Sequence, residues 1–260
     1  MTKDEILRLR RQIISDSGPW TNHNLHLGFN IYTMDNSAVL DYSANVDQIK
    51  DFVGSSFKNL RVVDFGCLEG GYAIHFAQQG ANVVGIEGRQ SSVTKANFSR
   101  EVLGLENLCF HTDDCRNFSL EKYGAFDIVF CQGLFYHLDF PSLVIFLEKV
   151  AEACNRVCYL NTHVAVDDHR LNPSVQHLGP MEELVYRGLA YRGRKYLEHP
   201  VNMPQSQRLK QLWSSLDNTF SFWLSIESLT NTLLASGFTR VYQLKRREEQ
   251  PDRREFIAVK

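Results

Sequence analysis

From about residue 60 onward the chain alternates two periods. Short β-rich runs stand at 61–65 (RVVDF), 82–86 (NVVGI), 107–111 (NLCFH), 126–131 (FDIVFC) and 156–160 (RVCYL), and each of the first four gives way to a helical or turn-rich stretch. Strands interleaved with helices pair in parallel through crossovers, so the pattern predicts an open, mostly parallel α/β sheet. The punctuation agrees: 70–79 stops at Gly80, 90–103 stops at Gly104, and 141–153 opens on Pro141, a residue suited to a first helical turn. Ser225 caps a further helix carrying Leu229, Leu233 and Leu234, which ends at Gly237. Beyond it, 241–245 and 254–259 flank the charged turn 246–253, and an antiparallel hairpin would place Pro251 between its strands.

Two segments fall outside the alternation. Residues 1–59 form a cap segment, with a short amphipathic helix (Ile6, Leu9, Ile13) and a polar, aromatic stretch, GPWTNHNLHLGFNIYT. The second segment, about 164–224, is an insert in the domain that occupies 60–260. A stretch that long inside a compact domain is expected to be functional or helical. It is read as a helical lid: Pro180 opens a helix through Leu184 and Leu189, and Ser206 opens another whose Leu209, Leu212, Trp213 and Leu216 share a face.

Composition removes several function classes. At 260 residues, 43% of them hydrophobic, the chain can bury a large core, and 28 Lys and Arg against 30 Asp and Glu create no sequence-wide basic field for nucleic acid. No apolar run approaches a membrane span, and MTKDEILRLRRQ lacks a signal-peptide core, so a cytoplasmic location is expected. The six cysteines contain no CxxC pair and read as buried free thiols.

The chemistry concentrates at strand ends. In V-V-D-F-G-C-L-E-G-G, residues 62–71, a strand ends in Asp64 and runs into a glycine-containing turn, which brings backbone N–H groups and a helix N-terminus to a ligand. The second strand ends at Glu87, able to accept both hydroxyls of a ribose. Asp113-Asp114-Cys115 follows the third, and Gln132-Gly133-Leu134-Phe135-Tyr136-His137 the fourth. All lie where open α/β sheets bind ligands.

On these residues the sequence resembles the class I S-adenosylmethionine-dependent methyltransferases, over about 60–260. Asp64, Gly66 and Gly70 match the acidic residue and G-x-G-x-G of the family's first motif, while Leu68 replaces the middle glycine and leaves the turn less permissive. The form D-x-G-C-x-x-G with G-x-x-Y-H-L is similar to a branch that holds small-molecule enzymes and the enzyme that carboxymethylates the wobble uridine of tRNA. Trp20, Asn22-His23, Leu27-Gly28 and Thr33 look like that branch's N-terminal W-x-H-x-x-x-L-G-x-x-x-x-T, with His displaced by one place.

The resemblance implies a Rossmann-like, seven-stranded fold with S-adenosylmethionine as cofactor. Asp64 is then its contact to the cationic methionine end, Glu87 and Gly88 the ribose site, and Asp114 with Cys115 the adenine site, with Asp113 as turn former. Gly66, Cys67, Gly70, Gln132 and Gly133 complete the cofactor set. His137 is the candidate base for the acceptor, against the alternative of a histidine tied to backbone at a helix start; His163 is the alternative base. Trp20, Tyr32, Tyr136 and Trp223 are assigned to the acceptor, and Trp213 to the insert's own core. Asp167, Asp168 and His169 could ligate a divalent metal, but Asp-Asp-His in a loop is common and no metal is expected. Arg187, Arg192, Arg194, Lys195, Arg208 and Lys210 fit either an anion site or a solvated face. The expected activity is methyl transfer to an oxygen, less readily a nitrogen, of a small metabolite or sugar derivative. A tRNA-modifying relative and a non-catalytic S-adenosylmethionine-binding scaffold are the alternatives. No membrane or nucleic-acid partner is expected, and a homodimer is compatible with the sequence.

Overall fold

The structure, a computed structural model, describes residues 1–167, 177–244 and 252–260. A seven-stranded sheet runs in the order β3-β2-β1-β4-β5-β10-β9, where β1 is Arg61–Phe65, β2 Asn82–Glu87, β3 Leu108–Thr112, β4 Phe126–Gln132, β5 Cys154–His163, β9 Arg240–Gln243 and β10 Arg253–Val259. β1, β2 and β3 pair in parallel, and β10 pairs antiparallel with both β5 and β9. This is the mostly parallel sheet with an antiparallel C-terminal hairpin that the alternation implied, in the Rossmann-like, seven-stranded form that the resemblance implied. Among the described residues no helix is long and apolar enough to cross a membrane.

The chain divides into two compact units, Met1–Asn117 with Phe126–Ile128, and Phe118–Ala125 with Val129–Lys260. In the first, helix α1 (Lys3–Ser17) starts at a capping box between Thr2 and Glu5, and α2 (Ser43–Val53) buries Val46 and Ile49. β1 is buried along four of its five residues, as a strand covered on both faces must be. Helix α3 (Gly71–Gln78) follows it, and α4 (Gln90–Leu103) ends at Gly104 in the left-handed conformation. In the second unit, a short helix, α5 (Leu120–Tyr123), and α6 (Ser142–Ala153) precede β5, and Phe130 stacks on Tyr159 at 4.8 Å in the core. Helix α8 (Ile226–Ala235) starts on Ser225, whose hydroxyl accepts from Ser228 N–H.

The insert overturns its helical reading. It holds an antiparallel sheet of β6 (Leu178–Tyr186), β7 (Leu189–Leu197) and β8 (Phe220–Leu224), in that order. Pro180 opens no helix: it lies in an edge strand, inside a register irregularity between Leu178 and Met181, where a missing N–H is tolerated. Arg187 and Gly188, with φ of 50° and 79°, make the two-residue turn to β7. The second expected helix is the single turn α7 (Gln205–Arg208), and Trp213 is 63% exposed rather than in a core. The six cysteines are free thiols, five of them buried. Asp168, His169 and Pro251 lie outside the described residues.

Candidate active site

In the first unit, β1 carries Asp64 into the turn before α3, where Gly66, Leu68 and Gly70 have φ of 65°, 49° and 84°. Leu68 thus adopts the left-handed geometry of the glycine it replaces, at a cost of about 1 kcal/mol. A side chain at Gly70 would meet the Phe110 ring at 2.6 Å, so that glycine admits close packing. The turn's amides are taken internally. Gly66 and Cys67 N–H donate to Ile86 O at 2.8 and 3.3 Å, Leu68 N–H to Glu87 Oε2 at 3.2 Å, and Gly71 N–H to His23 Nδ1 at 2.9 Å.

Asp64 is 2% exposed, and its Oδ2 is buried with no hydrogen-bond partner among the described residues. Burial pushes its carboxyl well above the usual range, a bond from Ala73 N–H opposes this, and the Glu87 charge adds to it. A buried acceptor lacking a donor is costly until one arrives, which suits the cationic end of S-adenosylmethionine. Glu87 is also pushed up by burial; Arg89 N–H at 2.8 Å, Leu68 N–H and Gly88 N–H act against it. Asp114 accepts Arg116 N–H at 2.9 Å on Oδ1, and Arg116 Nε and Nη2 at 2.8 and 2.5 Å on Oδ2. Cys115, buried, opens the 3-10 turn Cys115–Asn117.

Sequence reasoning missed Glu69. Fully buried, it accepts N–H groups of Thr21 (2.7 Å), Asn22 (3.1 Å) and His23 (3.1 Å) and pairs with buried Lys95 at 3.3 Å. It latches the cap segment to the glycine turn; the one hint was a carboxylate lodged among glycines and apolar residues. Thr33 closes the cap loop, donating to His23 O at 2.7 Å and accepting Leu25 N–H at 2.8 Å. Trp20 is buried with its ring 5.7 Å from Phe98, whereas Tyr32, 5.0 Å from the His26 ring, lines a cleft with Lys3, Leu7, Arg10 and Phe29.

The second unit gathers the other candidates. Gln132 ends β4 with a buried Oε1 that has no partner among the described residues, and Gly133 N–H donates to Asn161 O at 3.0 Å. Tyr136 and His137 follow in a 3-10 turn, Phe135–His137, with their rings 4.2 Å apart. His137 Nδ1 lies 2.9 and 3.0 Å from the two carboxylate oxygens of Glu198, which also accepts Ser215 N–H at 2.9 Å. The Glu198 side chain is 1% exposed, and His137 Nε2 has no hydrogen-bond partner among the described residues. His163, at the end of β5, is held on both nitrogens: Nδ1 is 3.2 Å from Asp252 Oδ2 and Nε2 is 3.5 Å from Arg253 Nη1. Trp223 stacks between His163 and Tyr196, each at 4.7 Å, and donates from Nε1 to Tyr136 O at 3.0 Å. Glu198, Asp252 and Arg253 carried no motif, because the chain brings them to these histidines from distant strands.

The basic residues of the insert are largely matched. Arg187 pairs with Glu148, Arg192 with Asp167 and Lys195 with Glu182, while Arg194 and Arg208 donate to backbone carbonyls. That favours a solvated face over an anion site.

A Rossmann-like sheet with carboxylates at the ends of its first two strands defines a nucleotide-cofactor domain. Residues 56–215 match the family described as methyltransferase domain, and the chain belongs to it; it is a class I methyltransferase of the kind whose cofactor is S-adenosylmethionine. The crystal structure of the N-terminal domain of EvdMO1 in the presence of SAH and D-fucose is similar over 100% of this chain and 97% of that one, with a TM-score of 0.74 and 23% identity. Magnesium protoporphyrin IX methyltransferase from Synechocystis PCC 6803 with bound SAH is similar over 84% of this chain and 81% of that one (TM-score 0.52, 18% identity). Ubiquinone biosynthesis O-methyltransferase of Acinetobacter baylyi is 26% identical over 113 residues, 44% of this chain and 45% of that enzyme. The match thus spans less than half the length of this curated relative.

Proposed function

We propose that the protein transfers the methyl group of S-adenosylmethionine to an oxygen of a small metabolite or sugar derivative, with His137 as general base. The His137–Glu198 pair carries the reading: a buried carboxylate on Nδ1 makes Nδ1 the protonated nitrogen and leaves the Nε2 lone pair to act. When bound, the cofactor supplies an electrophilic methyl carbon on a sulfonium. Asp64 would hold its cationic end, Glu87 with Gly88 its ribose and Asp114 with Cys115 its adenine, with Gly66, Cys67 and Gly70 shaping the approach and Gln132 and Gly133 completing the cofactor set. His137 would take the acceptor's hydroxyl proton at Nε2, and Glu198 would stabilise the resulting imidazolium. His163, held at both nitrogens, orients rather than abstracts. Tyr136 and Trp223 would border the acceptor.

Support for oxygen and for a small acceptor comes from the named O-methyltransferase relative, from the domain crystallised with D-fucose, and from a formal net charge of -2, which disfavours nucleic acid. The working location is the cytoplasm. With an acceptor found by screening for SAH release, His137→Gln should lower kcat by about a hundredfold to ten-thousandfold with SAM affinity nearly constant. A fully active variant would remove His137 from the chemistry.

A further inference from the structure

We propose that the acceptor is a hydroxy acid, and that Arg253 binds its carboxylate. The inference deepens the reading above and rests on it. Arg253 opens β10 opposite His163, its register partner on β5. Nε donates to Asn161 Oδ1 at 2.6 Å, Nη1 lies 3.5 Å from His163 Nε2, and the guanidinium stands 5.3 Å from the centre of the Tyr136 ring while bonding its phenol. None of these three partners is a carboxylate. Asn161 is turned to Arg253 by Glu255, which accepts from Asn161 Nδ2 at 3.1 Å, so that negative charge stands one residue away. Among the described residues Arg253 makes no ion pair with a carboxylate.

A guanidinium has five N–H donors in a planar fork, and three contacts leave two without a protein acceptor. A partly buried cation in this state has lost solvation without gaining a counter-charge, and an incoming carboxylate supplies both the charge and the acceptors. The way in is kept open by Gly133. At φ +78°, a Cβ there would stand 3.0 Å from Arg253 Nη2 and 3.9 Å from Tyr136 Oη, so any side chain would wall off that edge of the fork. Tyr136 touches both groups: its ring lies against Arg253 and 4.2 Å from the His137 ring. One molecule can therefore present a hydroxyl to His137 and an acid to Arg253 on either side of one tyrosine.

The test uses the full chain loaded with SAH and two probe pairs, D-glucuronate against D-glucose and 4-hydroxybenzoate against 4-hydroxybenzamide, followed by calorimetry and by the Arg253 Nε–Hε resonance. At least one acid should bind about tenfold tighter than its neutral twin and shift that resonance. Arg253→Gln should erase the preference, Arg253→Lys should keep part of it, and SAH affinity should hold in both. Equal affinities, no acid binding, or a preference that survives Arg253→Gln would overturn the proposal. Inorganic phosphate binding as tightly as the acids would overturn the carboxylate assignment. Lost SAH affinity in Arg253→Gln, with an unchanged circular dichroism spectrum, would move Arg253 to the cofactor's own carboxylate. Failure of the unaltered protein to bind SAH would instead defeat the methyltransferase reading itself, which distinguishes the two failures.

Discussion

Asp64 combines a carboxyl pushed up by burial with an oxygen that has no partner among the described residues. If a cation settles on it, the ionised form gains and the carboxyl must shed any proton it holds. S-adenosylmethionine binding should therefore release protons, seen as a binding enthalpy that varies with the ionisation enthalpy of the buffer. Asp64→Asn should abolish that variation and weaken binding at least tenfold; an identical proton count in the variant would detach Asp64 from the cofactor. Leu68 offers a separate check. Its φ of 49° is one glycine adopts freely, so Leu68→Gly should raise stability by about 1 kcal/mol, measured by urea unfolding. A loss would show that the leucine side chain holds the turn more firmly than the backbone strain loosens it.

Among the elements, the insert departs most from its sequence reading. Spacing of Leu184, Leu189, Leu209 and Leu212 suits helices, and Arg187-Gly188 carries only the glycine of the usual two-residue hairpin pairs. The choice is made by pairing of β7 with β6 on one side and β8 on the other, a non-local fact that local periodicity does not contain. Gly188, at φ +79° in open space, should lose about 1 kcal/mol as Gly188→Ala, whereas Trp213→Ser should change stability little because the indole is mostly in water. Thermal melts of both variants check the strand assignment; a tolerated Gly188→Ala with a damaging Trp213→Ser would restore the helical picture. Helix α2 is legible in the spacing of Val46, Ile49 and Val53 before Gly54. The parallel core and C-terminal hairpin were plain because short apolar runs with glycine stops have few other ways to fold. In the site, strand-end carboxylates were readable from their spacing, but partners such as Glu198 and Asp252 arrive from more than sixty residues away.

At the scale of the molecule, acid should act through the cap. Burial lowers the His23 pKa to about 4 from 6.5, since the ring must stay neutral to accept Gly71 N–H, although the Glu69 charge favours the proton. With the folded value below the unfolded one, this contribution is complete above about pH 6.5 and is lost as pH falls towards 4, at up to about 1.4 kcal/mol per pH unit. Urea-unfolding curves across that window should show a steeper pH dependence for the unaltered protein than for His23→Asn; equal slopes would separate the cap from the titration. The three tryptophans give such experiments an optical handle. Trp20 is sealed in the first unit, Trp213 stands in water, and Trp223 is clasped between an imidazole and a phenol ring in the second. Their emission should separate by colour and by quenching, so that Trp20→Phe and Trp213→Phe together leave a chain whose single remaining indole reports on the ring stack of His163 and Tyr196.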